Sequence, residues 1–158
     1  MGSIADNRCS KCGAYTKDVI CDTCAARPAA SQALVEYQLL NQGIQTYRPS
    51  RENDQHDLVA YIGHKLARVQ VKTAYFEKGG GVTANVCRTT SKGRIQYRPH
   101  EVDYFAVVWD EQVYLIPYSA VKGKGRINVL AQKYRRWRLS PVGGASDNRD
   151  GDSLPDVS

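Results

Sequence analysis

The stretch HDLVAYIGHKLARVQVKTA, residues 56–74, decides how the chain is expected to fold. Residues 57–62 and 66–72 are two short runs rich in apolar and β-branched residues, which is typical of β-strands. Gly63 and His64 separate the two runs, and a link that contains glycine favours a tight turn between antiparallel strands. The stretch therefore predicts a β-hairpin.

Three polar residues of this hairpin form a candidate catalytic site. Gln70 and Lys72 are two positions apart on one strand and point to the same face, and Asp57, at the outer start of the other strand, can face them across the ladder. A carboxylate and an amide oxygen suit Mg²⁺, which would polarise a phosphate and activate water. The lysine could orient that water and neutralise developing charge. From spacing alone, Asp57 and Lys72 could equally be ordinary surface residues.

The rest of the central segment predicts one helix followed by a mixed or mostly antiparallel sheet. Apolar residues recur at helical spacing over residues 28–42, and Gly43 stands where a C-cap glycine belongs. This order of elements predicts a layered α/β domain. Further strands are expected at residues 44–47, 82–88, 104–109 and 112–117, with a basic loop at 89–98 and a turn at Asp110-Glu111.

The composition changes along the chain divide it into four segments. Residues 1–27 hold four of the five cysteines, residues 28–130 form the α/β domain, residues 131–139 are basic and aromatic, and residues 140–158 are rich in glycine, serine and aspartate. The last segment has too few apolar groups to offset the entropy of ordering, so we expect it to be disordered.

The cysteines of the first segment predict a zinc knuckle. Two CxxC pairs, Cys9 with Cys12 and Cys21 with Cys24, can present four thiolates to one Zn²⁺ ion in a closed structural site. Disulfides are the alternative, but we expect the chain to be cytoplasmic, since it has neither a signal-peptide pattern nor an apolar run long enough to span a membrane. The fifth cysteine, Cys87, is expected in the core.

The charge distribution points to a polyanionic partner. The formal net charge is +6, and because residues 140–158 carry −3, the first 139 residues carry +9. Residues 122–138 contain seven basic residues and no acidic one. Nucleic acid is the commonest partner of such a stripe, although a solvated charged face would have the same composition.

Three basic segments are candidate DNA contacts: the hairpin around Lys65 and Arg68, the loop at 92–98 and the stretch at 133–138. Arg94 and Arg98 are the candidates for reading bases, because arginine pairs bidentately with guanine. Phosphate contacts are expected from Lys133, Arg135 and Arg136, and Lys92 belongs to the same basic loop as Arg94. Tyr97, Tyr134 and Trp137 stand between these basic residues and could stack on bases.

Four motifs in this order resemble the PD-(D/E)xK nucleases associated with group I introns. They are HDLV (56–59), VQVKTA (69–74), VDYFAV (102–107) and VYLIP (113–117), and the resemblance covers about residues 31–121. It implies a restriction-endonuclease-like mixed β-sheet flanked by helices.

The resemblance also implies roles for particular residues. Asp57 takes the place of the acidic metal ligand and Lys72 that of the motif lysine. Gln70 stands where the wider class has Asp or Glu. The first helix of the family often contributes a glutamate, for which Gln32 and Glu36 are both candidates here.

The function that the resemblance implies is Mg²⁺-dependent hydrolysis of double-stranded DNA, of the site-specific homing type. A nuclease that cuts both strands most simply uses two active sites, so a homo-oligomer is expected. A Holliday-junction or recombination nuclease on the same fold is an alternative. The other alternative is a zinc-containing protein that binds DNA without cutting it.

Overall fold

The computed structural model describes residues 22–51, 55–77, 79 and 81–140. The predicted knuckle residues Cys9, Cys12 and Cys21 lie outside this part, as do the side chain of Cys24 and residues 141–158 of the predicted disordered tail. Within the described residues, no helix has both the length and the apolar character to cross a membrane.

The described chain contains two α-helices, ten short strands and a final 3-10 helix. In order, they are α1 (Asp22–Asn41), β1 (Thr46–Tyr47), β2 (Leu58–Ile62), β3 (Lys65–Thr73), β4 (Tyr75–Glu77), β5 (Gly81–Asn85), β6 (Cys87–Thr90), β7 (Gly93–Gln96), β8 (Tyr104–Trp109), β9 (Gln112–Pro117), α2 (Tyr118–Val121), β10 (Arg126–Asn128) and the 3-10 helix Gln132–Trp137.

The main sheet has five strands in the order β1-β2-β3-β8-β9. Only β3 and β8 run parallel, and the other neighbours are antiparallel. The two hairpins turn at Gly63-His64 and Asp110-Glu111, where both residues of each pair have positive φ, as in the two-residue turns that match the twist of a hairpin. The predicted mixed α/β architecture is confirmed.

Both faces of the sheet are covered around β8, and for this reason that strand is buried along most of its length. Tyr104, Ala106 and Val108 pack towards α1 in a core with Val35 and Leu39. The intervening Phe105 and Val107 pack on the opposite face, in a second core. That second core is closed by the small sheet β10-β5-β4 and by the 3-10 helix.

Several element boundaries differ from the sequence-based expectations. The helix expected at 28–42 begins at Asp22 and contains Pro28, although an interior proline removes one hydrogen bond and crowds the carbonyl four residues earlier. Gly43, with φ of +74°, ends the helix as predicted. The single strand expected at 82–88 is two strands in different sheets, because β5 pairs with β10 whereas β6 pairs with β7.

The prediction of a basic loop at 89–98 is wrong, because most of this segment belongs to a β-hairpin. Thr89 pairs with Arg94 and Thr90 with Gly93, so the basic residues stand on strand β7 and its turn. All four residues of β7 are exposed. The strand therefore lacks the alternation of buried apolar and exposed polar residues from which a strand is predicted.

Candidate active site

Asp57 lies immediately before β2 and is fixed by the neighbouring strand β3. Its backbone N–H donates to the carbonyl of Val69 at 3.0 Å. Its carboxylate oxygen Oδ2 accepts the backbone N–H of Val71 at 2.7 Å and the side-chain amide of Gln70 at 2.5 Å. Burial raises the pKa of Asp57, although the hydrogen bond from Val71 and the positive charge of Lys72 act in the opposite direction.

Gln70 and Lys72 stand on the same face of β3, as the strand period predicts. Gln70 is 9 % exposed and adjoins Asp57. The ammonium of Lys72 donates to the hydroxyl of Tyr97 at 3.0 Å and lies 5.2 Å from the centre of that ring. Burial lowers the pKa of Lys72, and the charge of Asp57 opposes this effect. The structure therefore brings the three predicted residues together.

Tyr97 is a residue of this site that sequence reasoning placed elsewhere. Its place between basic residues predicts stacking on DNA bases, but it is only 5 % exposed and meets Phe105 edge-on, with ring centres 5.4 Å apart. Burial raises the pKa of Tyr97 to about 12, so the phenol is protonated at neutral pH. Nothing in the spacing of Lys72 and Tyr97, 25 residues apart, indicates this contact.

An ion pair between Arg88 and Glu101 lies behind Tyr97. The guanidinium of Arg88 sits 5.4 Å from the centre of the same ring and contacts the buried carboxylate of Glu101 at 3.3 Å. Glu101 also accepts the backbone N–H of Arg98 at 2.7 Å. These contacts fix the base of the β6–β7 hairpin beside Lys72.

The two candidates from the first helix have different surroundings. Gln32 donates to the backbone carbonyl of Asp57 at 3.3 Å and thus borders the site. Glu36 instead forms a bidentate pair with Arg48, with distances of 2.6 and 2.8 Å. The structure therefore places Gln32 beside Asp57, whereas Glu36 forms an ion pair with Arg48.

The donor set at Asp57 suits a hard divalent cation. Both of the hydrogen bonds described above end on Oδ2, so Oδ1 can serve as an oxygen ligand, and the amide carbonyl of Gln70 can supply another. In the part of the chain that the structure describes, no three His, Cys, Asp or Glu residues come close enough to share a metal ion. Asp57 would therefore hold such an ion with one carboxylate and neutral oxygens.

The basic candidates for DNA contact lie at the surface. Lys92, Arg94 and Arg98 are exposed on or beside the β6–β7 hairpin, and Lys133, Arg135 and Arg136 are exposed on the 3-10 helix.

The aromatic residues between them are not free to stack on bases as expected. Tyr134 is 2 % exposed and belongs to the core, and Trp137 is partly buried against that core. The cations lie on the rings instead, with Lys133 5.0 Å from the centre of Tyr134 and Arg136 4.4 Å from that of Trp137.

A half-buried carboxylate, an amide and a lysine thus lie close together on a mixed sheet, and the comparisons with known proteins identify the family of the chain. The sequence pattern of the PD-(D/E)XK endonucleases matches residues 27–136, and the chain belongs to this family. It is also 36 % identical to Protein 5.3 of Escherichia phage T7 over 96 residues, which are 61 % of this chain and 81 % of that protein.

The fold has a counterpart among solved structures. The structure of the bacterial homing endonuclease I-Ssp6803I superposes with a TM-score of 0.57 and covers 82 % of this chain and 83 % of that one. The two sequences are 20 % identical, so this likeness concerns the fold alone.

Proposed function

We propose that the chain is a Mg²⁺-dependent endonuclease that hydrolyses phosphodiester bonds of double-stranded DNA. The observation that carries the proposal is the contact of Asp57 with Gln70 on the face of β3 that also presents Lys72. Family membership supports the nuclease class. The surplus of basic residues supports a nucleic-acid substrate.

In this mechanism, Asp57 and Gln70 would hold the cation with their side-chain oxygens. A bound Mg²⁺ ion supplies Lewis-acid polarisation of the scissile phosphate and lowers the pKa of a coordinated water. Lys72 faces the same place and orients the attacking water, or donates a hydrogen bond to the phosphate oxygen on which negative charge develops. Its partial burial strengthens this interaction, because the effective dielectric constant is lower than in water.

We further propose that the enzyme is site-specific, of the homing type, and acts as a homo-oligomer. The name of the structural neighbour and the separate basic segments support specificity. The need to cut two strands supports two active sites. Sequencing the ends of cleaved DNA from a plasmid library, and measuring the mass of the protein in solution by light scattering, would test both statements.

The four cysteines Cys9, Cys12, Cys21 and Cys24 remain our proposed zinc site, on the basis of their spacing. Metal analysis of the purified full chain should give one Zn²⁺ per chain. A Cys9→Ser variant should lose it, and full retention of zinc by that variant would overturn this assignment.

The cleavage proposal is tested by incubating supercoiled plasmid with the protein in Mg²⁺ and in EDTA. We expect nicking only in Mg²⁺, and none by the Asp57→Asn variant. Asp110→Asn is the matched control, since it also removes one negative charge but lies exposed in the β8–β9 turn. DNA binding without nicking by the wild type would show a binding protein instead.

A further inference from the structure

Tyr97 is the described residue that hydrogen-bonds the amino group of Lys72. Its hydroxyl accepts the Lys72 Nζ–H at 3.0 Å, and its ring lies under the same nitrogen at 5.2 Å. We propose that Tyr97 is the positioning residue of Lys72, which it holds at the place where the phosphate reacts. This inference rests on the proposed nuclease function.

The tyrosine is itself held from three sides and can therefore act as a fixed support. Its backbone carbonyl accepts the hydroxyl of Tyr118 at 2.9 Å, which ties it to α2. Its ring packs edge-on against Phe105 of β8 at 5.4 Å. Arg88, held by the buried Glu101, lies 5.4 Å from the same ring. A side chain so surrounded has few other rotamers available.

Lysine needs such a support more than most catalytic groups do. Its ammonium is a point charge on a flexible four-carbon stem, whereas catalysis requires placement within about 0.5 Å. Asp57 does not provide it here, because the described hydrogen bonds of that carboxylate come from Gln70 and the backbone of Val71. The phenol oxygen of Tyr97 then fixes the end of the lysine side chain.

The position of Tyr97 in the chain links this support to the basic hairpin. Tyr97 directly follows β7, and Cys87, at the other end of the hairpin, pairs with Gln96. The tip of the same hairpin exposes Lys92 and Arg94. The β6–β7 hairpin, which exposes the candidate DNA contacts Lys92 and Arg94, is therefore followed directly by the tyrosine that positions Lys72.

The first test is the Tyr97→Phe variant, which keeps the ring and removes only the hydroxyl. We expect about a ten-fold loss of kcat in plasmid cleavage with Mg²⁺ and an unchanged KM, as for loss of one hydrogen bond to a charged group that acts in the transition state. Tyr97→Leu, which also removes the ring, should lose more. Tyr104→Phe is the matched control, because Tyr104 is also buried but its hydroxyl has no hydrogen-bond partner among the residues that the structure describes.

The second test does not depend on cleavage. In metal-free buffer, the rate at which an N-hydroxysuccinimide ester acylates Lys72, followed by mass spectrometry, should rise several-fold in Tyr97→Phe and remain at the wild-type value in Tyr104→Phe. The reason is that the amine gains freedom and nucleophilicity when its partner is removed.

The outcomes separate this inference from the function on which it rests. An unchanged kcat and unchanged acylation in Tyr97→Phe would overturn the positioning role, as would equal losses in Tyr104→Phe. A raised KM with unchanged kcat would show that Tyr97 binds DNA instead. If the wild type cuts no DNA, the proposed function fails, and the acylation experiment still decides whether Tyr97 holds Lys72.

Discussion

Replacing Asp57 with asparagine should abolish cleavage and, in metal-free buffer, stabilise the folded chain. Both effects result from removing the negative charge of the Asp57 carboxylate. The carboxylate is partly buried beside a neutral amide, and burial raises its pKa. An Asp whose folded pKa is raised destabilises the fold when it is ionised, and this loss is present at neutral pH.

The magnitudes follow from the contacts of the carboxylate. Asp57 Oδ2 accepts two hydrogen bonds, and the carbonyl oxygen of an asparagine can accept both in the same place, so no buried donor is left unpaired. We therefore expect a gain in unfolding free energy of up to about 1 kcal/mol, the scale of one hydrogen bond. Cleavage should fall by at least about 10³-fold, since an uncharged amide replaces the carboxylate that would hold the cation.

The assay is urea unfolding of both proteins in EDTA from pH 3 to pH 8. Wild-type stability should rise relative to the variant as the pH falls from the raised pKa of the folded state towards the unfolded value of about 3.9, so the difference between them should shrink at acid pH. For the control Asp110→Asn, the difference in stability from the wild type should not change with pH in this way. A variant that is less stable than the wild type at pH 7, or one that still cuts, would refute the reasoning.

Five other substitutions test separate parts of the structure. Lys72→Met should lower kcat by about 10² or more while DNA binding in a gel-shift assay stays unchanged. Asp103→Asn should destabilise the fold by about 1 kcal/mol, because Asp103 accepts hydrogen bonds from Arg68. Burial acts to raise the pKa of Asp103, but the hydrogen bonds from Arg68 outweigh burial and lower it. The stability that Asp103 contributes is therefore present above about pH 3.9 and is lost as the pH falls through the folded pKa. Tyr134→Ala should cost about 3 to 5 kcal/mol in thermal unfolding, because the ring is core and not a DNA contact. Arg135→Ala should weaken binding to all duplexes alike and flatten the salt dependence, whereas Arg94→Ala should cost about 1 to 3 kcal/mol on the matched duplex only.

The sequence predicts the two hairpins of the main sheet. The β2–β3 and β8–β9 hairpins follow from their apolar runs and from the two-residue links Gly63-His64 and Asp110-Glu111. The strands β4 and β10 have three residues each, too few to show a period. Their pairing with β5 depends on tertiary packing, which spacing does not encode.

The same distinction applies to the site. Asp57, Gln70 and Lys72 belong to one hairpin, so register arithmetic is enough to bring them together. Tyr97 reaches Lys72 only because the β6–β7 hairpin folds back beside β3, across 25 residues of chain. The ambiguity between Gln32 and Glu36 could not be resolved from helical spacing, because the partner of Glu36 is Arg48 in the loop after β1.

A site with one carboxylate has a consequence for the order in which its ligands bind. Where the wider family has a second acid, Gln70 contributes no charge, and Asp57 is opposed by the nearby ammonium of Lys72. Asp57 and Lys72 together carry no net charge, so they attract Mg²⁺ less than two carboxylates would. They also repel a phosphate less than two carboxylates would. Mg²⁺ is commonly held by one or two carboxylates together with substrate phosphates. On the proposed function, a DNA phosphate would complete the cation site of this chain, and the affinities for Mg²⁺ and for DNA would increase each other by the same factor.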